Sequence, residues 1–145
     1  MKLTGISIGI VFTLLFGQDR SLIFTTGTPD GSEGHSIQLG GNNGNSLADR
    51  FYVNGNMVLE ALKIYAVASS ETANARVVLH SESEGIPSEE IYSWDIDVAT
   101  ATHGANYFLI VTTDLCIYLD EGSYYWLALY AEDETSEIVW IYSNN

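Results

Sequence analysis

Residues 115–130, LCIYLDEGSYYWLALY, set two apolar, aromatic-rich runs of strand length on either side of an acidic turn at Asp120, Glu121 and Gly122. Strand side chains alternate between two faces, and a turn containing Gly accepts the positive φ that reverses the chain. An apolar sheet face must be buried against another layer, so a chain built from such runs stacks sheets. About eight or nine short runs of this kind follow one another, separated by turn signals. No series of helical segments alternates with them to make parallel βαβ units. The expected fold is all-β, an antiparallel β-sandwich of jelly-roll type.

The order of these runs divides the chain. Residues 1–17 form an apolar leader behind Lys2, with the charge and length of an export signal or of a retained apolar N-terminal segment. The candidate cleavage point before Gln18 offers a small residue only at Gly17. Residues 18–46 hold one short strand-like run, SLIFTT, followed by Gly, Asn, Ser and Asp, and are expected to form a flexible arm. The sandwich is expected over residues 47–145. Its first part, LADRFYV then Asn54-Gly55 then MVLEALKIYAVA, reads as a tight hairpin. Leu59, Leu62 and Tyr65 would also line one helix face, so a helix over residues 57–68 remains open behind the strand reading that the flanking β signals favour. Residues 81–90 read as an acidic loop. In IYSWDIDV, Tyr92, Trp94, Ile96 and Val98 share a face opposite Ser93, Asp95 and Asp97. Residues 106–112 and 124–130 are apolar on both faces and suit central strands.

Composition excludes some partners. Five basic against nineteen acidic residues give a net charge of -14, which repels phosphate backbones and excludes nucleic acid. Hydrophobic residues make up 46% of the chain, enough for one packed core. Cys116 is the sole cysteine, so it has no internal disulfide partner, and its apolar setting suggests a buried thiol.

The runs ADRFYV, VLEALKIYA, ARVVLHSESEGIPSEEIYSW, CIYLDEGSYYWLALY and EIVWIYS together resemble the jelly-roll modules of bacterial secreted and cell-surface proteins, which are similar to carbohydrate-binding and surface-anchored domains. The resemblance spans residues 48–142. It implies a non-catalytic extracellular or cell-surface module. Arg50 stands where those modules carry a second acid, and Ser88 stands where they carry Gly after Pro87. The short stretch after Trp140 implies either a different strand count or a strand supplied from elsewhere.

Catalytic signatures are weak. Asp95 with Asp97, and Glu82 with Glu84, pair carboxylates at i, i+2, a spacing more often found on a wet strand face than at a glycosidase centre. His35, His80 and His103 show no metal-ligand spacing, and no G-x-S-x-G elbow or phosphate loop is present. Asp30, Glu33, Asp120 and Glu121 are the candidate ligands for Ca2+, because they put hard oxygens in loops. Trp126 and Trp140 are the candidate stacking residues for a glycan. Leu22, Ile23 and Phe24, in the strand-like part of the arm, are the candidate residues for self-association or contact with other surface proteins by strand exchange. Apolar strands with few edge charges favour that assembly, which extends into a filament unless its rotation closes a ring.

Overall fold

The computed structural model describes residues 34–39, 46–69, 73–98 and 107–141. They form β1 (Gly34–Gln38), β2 (Ser46–Tyr52), β3 (Met57–Leu59), β4 (Ala61–Ala68), β5 (Asn74–Ser83), β6 (Ile86–Asp97), β7 (Tyr107–Val111), β8 (Ile117–Leu119), β9 (Tyr124–Ala131) and β10 (Glu137–Ile141), with a 3₁₀ turn at Thr113–Leu115. All pairings are antiparallel, and the fold is an all-β sandwich. One four-stranded sheet runs β1-β10-β4-β7, the other runs β2-β9-β5-β6, and β3 with β8 makes a separate two-stranded pair. Except at the β5–β6 hairpin, each step along the chain moves it to a different sheet.

The core lies between the two large sheets. Alternate residues supply it: Phe51 from β2, Ile64 and Ala66 from β4, Val77 and Leu79 from β5, Leu127 and Leu129 from β9, Ile138 from β10. The small pair closes one end with Leu59, Ile117 and Leu119 inward and Val58 and Tyr118 outward. Burying each such aliphatic side chain contributes about 1.5–3 kcal/mol. Tyr125 is buried among them, and its hydroxyl accepts a 3.0 Å hydrogen bond from the Asp120 amide.

Several expectations need correction. The arm reading gives way at Gly34, because β1 lies within the sandwich beside β10 and Ile37 is fully buried. GHSIQ offers only one large apolar residue, too few for periodicity to reveal, yet one residue at the right register is enough to anchor an edge strand. Gly34 permits that approach: a Cβ there would lie 2.3 Å from the Trp140 carbonyl oxygen. Residues 57–68 are not one element. Thr112, itself buried, fixes a break at Glu60 by donating its hydroxyl to the Leu59 carbonyl and its amide to the Glu60 carbonyl at 2.8 Å. The Asn54-Gly55 turn does not make a hairpin, since β2 pairs with β9 and β3 with β8. The Asp120-Glu121-Gly122 turn likewise joins two strands that are not partners.

Residues 81–90 are strand rather than loop. β5 and β6 meet at a two-residue turn, Glu84 and Gly85, both at positive φ (55° and 83°), the backbone of a tight twisted hairpin. β7 is an edge strand by sheet order, not a central one, whereas β9 is central as expected. Edge charges are also more plentiful than the sequence pattern suggests. β6 is an edge strand carrying Pro87, Glu89, Glu90, Asp95 and Asp97. On edge strand β2, Asp49 shares the inward phase of Leu47 and Phe51. Burial pushes its carboxyl up, with His35 of β1 acting in the opposite direction. Charges of both kinds discourage edge-to-edge pairing.

Candidate functional site

The outward face of β2-β9-β5-β6 gathers chemistry that lies far apart in the chain. Pairing in register places Tyr52 opposite Tyr124, Arg50 opposite Trp126, and Trp126 opposite His80. Inward phase belongs to Phe51, Tyr125, Leu127 and Leu79, so the intervening residues point away from the core. The two arginines among the described residues, Arg50 and Arg76, both lie on this face.

Arg50 organises one end of it. Its guanidinium passes 3.7 Å from the centroid of the Tyr124 ring and reaches Glu82 on β5. There Nε donates to Oε2 and Nη2 donates to Oε1 at 2.7 Å, a bidentate fork. Hydrogen bonding to Arg50 holds the Glu82 carboxyl below its ordinary range, and the same bond raises Arg50. The buried Trp126 Nε1 makes no well-formed hydrogen bond, but it lies near enough to Glu82 to help stabilise the charge. Tyr52 stands beside Tyr124 with ring centroids 4.9 Å apart and planes tilted by 53°. These two rings are 46% and 41% exposed, so solvent reaches a pair of aromatic surfaces next to a fixed ion pair.

Elsewhere on the face side chains pair with one another, although the buried Arg76 Nε has no hydrogen-bond partner. His80 Nε2 lies 3.1 Å from the Tyr130 hydroxyl, bridging past the buried Val78 and Ala128. Arg76 donates at 2.8 Å to both Glu90 and Ser93, and the Ser93 hydroxyl donates onward to Glu90 at 2.8 Å. At the turn into β10, Asp133 Oδ1 accepts from the Thr135 amide at 2.9 Å, the Thr135 hydroxyl at 2.6 Å and the Ser136 amide at 2.8 Å. Those bonds, the Thr135 hydroxyl first, hold its carboxyl down at about 2.

The expected site residues are dispersed. Trp126 and Trp140 do not form a coplanar pair: Trp126 is on β9, facing away from the core, and Trp140 is on β10 in the other sheet, packed against the core. Asp120 and Glu121 are exposed on one turn, where the Glu121 amide donates to Asn56 Oδ1 at 3.1 Å. Asp30 and Glu33, and likewise Leu22, Ile23 and Phe24, lie outside the described residues. Among the described residues no group of three or more His, Cys, Asp or Glu is placed to hold a metal ion, and no helix is long and apolar enough to cross a membrane. Cys116 is exposed, not buried. It follows the 3₁₀ turn in left-handed conformation (φ 50°), which interrupts the strand alternation that the apolar run suggested.

Sequence reasoning missed Tyr52, Arg50 and Tyr124 as a group, because nothing local pairs β2 with β9. One signal was present. Arg50 is a rare base in an acidic chain. No family model matches the chain, and neither does any curated protein or solved structure.

Proposed function

We propose that this protein is a non-catalytic binding module of an exported, extracellular or cell-surface protein, working through the outward face of β2-β9-β5-β6. The observation that carries this reading is the exposed Tyr52–Tyr124 pair held beside the Arg50–Glu82 fork. Exposed aromatic rings next to a prearranged polar pair supply contact area and directed hydrogen bonds at low ordering cost. Non-catalytic character is supported by the engagement of two carboxylates on this face: Glu82 is tied to Arg50 and Glu90 to Arg76 and Ser93. Export is supported by the apolar leader. The jelly-roll reading is supported by the repeated passage of the chain between sheets. The test is retention on the envelope fraction of the exporting cell. A double variant, Arg50→Ala with Tyr124→Ala, that keeps its melting temperature is expected to lose retention, and equal retention would remove the reading.

A second reading, a structural subunit joined by strand exchange, is favoured by β7, whose sequence YFLIV contains no charge, Gly or Pro on an edge strand. Deleting residues 21–26 is then expected to abolish assembly in electron micrographs while leaving a folded core. Normal polymers from the deleted protein would end that reading.

A further inference from the structure

We infer that the β5–β6 hairpin and the open edge of β6 form a docking surface for a cationic, extended peptide segment of a partner protein. This surface is additional to the Tyr52–Tyr124 pair, since β2 and β6 are opposite edges of their sheet. Its anchors are Ile86, Ile91 and Tyr92, and its charges are the carboxylates that flank them along the strand.

Exposure and charge coincide on this strand pair. Among the described residues eight large apolar side chains are exposed, and three of them are on β6: Ile86 at 63%, Ile91 at 39% and Tyr92 at 37%. Beyond β5, no strand among the described residues pairs with β6, so its other edge is open. From Ser81 to Asp97 the sequence holds six acids and no Lys, Arg or His. Arg50 neutralises Glu82 and Arg76 neutralises Glu90, whereas Glu84 and Glu89 are exposed and have no basic partner among the described residues. Farther along the strand, burial and then the charge of Asp95 raise the Glu132 carboxyl. A cation laid along β6 relieves that crowding, while the apolar side chains exposed between the acids gain cover. The hairpin is also held in shape before any partner arrives, which lowers the ordering cost of binding. The Glu89 amide donates to Ser81 Oγ at 3.1 Å, and Arg50 holds Glu82 from across β9.

The same charges select against other occupants. A second copy would bring an equal set of acids against this edge, a like-charge contact in a chain of net charge -14. A neutral apolar segment would strip water from Glu84 and Glu89 without returning a charge, a costly exchange. Lysine or arginine supplies that charge, and its methylene stem covers isoleucine and tyrosine surface. Pro87 has no amide hydrogen to offer, and the register shifts between Leu79 and His80 and again between His80 and Glu82. Backbone pairing with a partner is therefore confined to the regular run from Tyr92 to Asp97, and side chains at the hairpin carry the rest of the contact.

The experiment is calorimetric titration of the whole protein with the peptide acetyl-Lys-Leu-Lys-Leu-Lys-Leu-Lys-amide, beside its Glu-for-Lys counterpart and an oligolysine of equal length. Saturable binding of the Lys-Leu peptide is expected. It is expected to weaken about tenfold or more with Ile86→Ser, with the Glu84→Lys, Glu89→Lys double variant, and on raising salt from about 50 to about 500 mM. Amide exchange in the parent protein is expected to slow over residues 86–97 when the peptide is bound. Tyr52→Ala and Tyr118→Ala are expected to bind as the parent does, and melting curves of each variant check that the fold is kept. Oligolysine binding as tightly as the Lys-Leu peptide, or peptide binding indifferent to Ile86→Ser, would reduce the edge to an acidic surface and overturn the inference. So would absence of saturable binding, preference for the Glu counterpart, or equal weakening by Tyr52→Ala. Self-association of the protein that Ile86→Ser abolishes would make the occupant a second copy and overturn it too. Envelope retention of the Arg50→Ala, Tyr124→Ala double variant reports on the aromatic face and Lys-Leu binding by Ile86→Ser on this edge, so either reading can fail without the other.

Discussion

Tyr124 and Tyr125 are neighbours on one strand and meet opposite fates. Tyr125 is 6% exposed, stacked near Phe51 at 5.9 Å, with its hydroxyl committed to the Asp120 amide. Tyr124 is 41% exposed, with Arg50 over its ring and Tyr52 at its side. Chemical identity does not distinguish the two rings; the two-residue period of the strand does. Inward residues are held by close packing, whereas outward ones are arranged by pairwise contacts that leave surface for a ligand. The inward face therefore governs stability, and the outward face is where we propose recognition.

That contrast is open to a direct challenge by mutation. The largest effect is expected from Leu129→Ala on the inward face, a loss of about 2–5 kcal/mol for a fully buried leucine, read from urea unfolding. A loss below about 1 kcal/mol would mean that β9 does not face a packed core there. Gly34→Ala follows, at roughly 1–3 kcal/mol, because its Cβ would collide with backbone at Trp140 and with the Val139 side chain. An unchanged midpoint would place β1 outside the cooperative unit. Tyr125→Phe is expected to cost about 1 kcal/mol by leaving the Asp120 amide without its acceptor. Tyr124→Phe is expected to leave the melting temperature unchanged, and equal losses for the two would dissolve the distinction between the faces.

The smallest effects concern pH, where two inward and turn carboxylates act in opposite directions. Asp133 is lowered to about 2, so its contribution is present above its ordinary value of 3.8 and is lost as pH falls from there through 2. Asp49 is raised by burial, so its contribution is present in acid and is lost as pH rises through its raised value. Asp133→Asn is expected to flatten the acid limb of a melting-temperature profile, and Asp49→Asn the limb above its ordinary value. Identical profiles for both variants would show that neither carboxyl is coupled to folding.

The legible parts of the fold were those written in local periodicity. The alternation in IYSWDIDV places Trp94 and Ile96 against the core and leaves Asp95 and Asp97 wet. Residues 124–130 form a central strand as their two-sided apolarity suggests. The β5–β6 turn was hidden because Ser81 to Glu90 is mostly Ser and Glu around Gly85 and Pro87: both strands are long enough to project past the core, where alternation carries no apolar signal. β1 was hidden for a related reason, since a single Ile37 anchors it.

The candidate site was the least legible part. Tryptophans draw attention by residue type, yet Trp140 packs inward and Trp126 is largely covered, while the exposed rings are tyrosines. Arg50 and Glu82 are thirty-two residues apart and meet only because β9, contributed by the last third of the chain, lies between their strands.

The sequence by itself determined that the chain makes short antiparallel strands around one core, that its net charge is -14, and which residues share a face wherever apolar and polar residues alternate. Those properties depend on side-chain period and total charge, and both are local or additive. Only the tertiary structure decided which strands are partners, that β1 joins the sandwich, and that Tyr52, Arg50, Tyr124 and Glu82 become one surface. Pairing is a choice among distant edges, settled by how all the inward side chains fill the core at once, and no single segment holds that information.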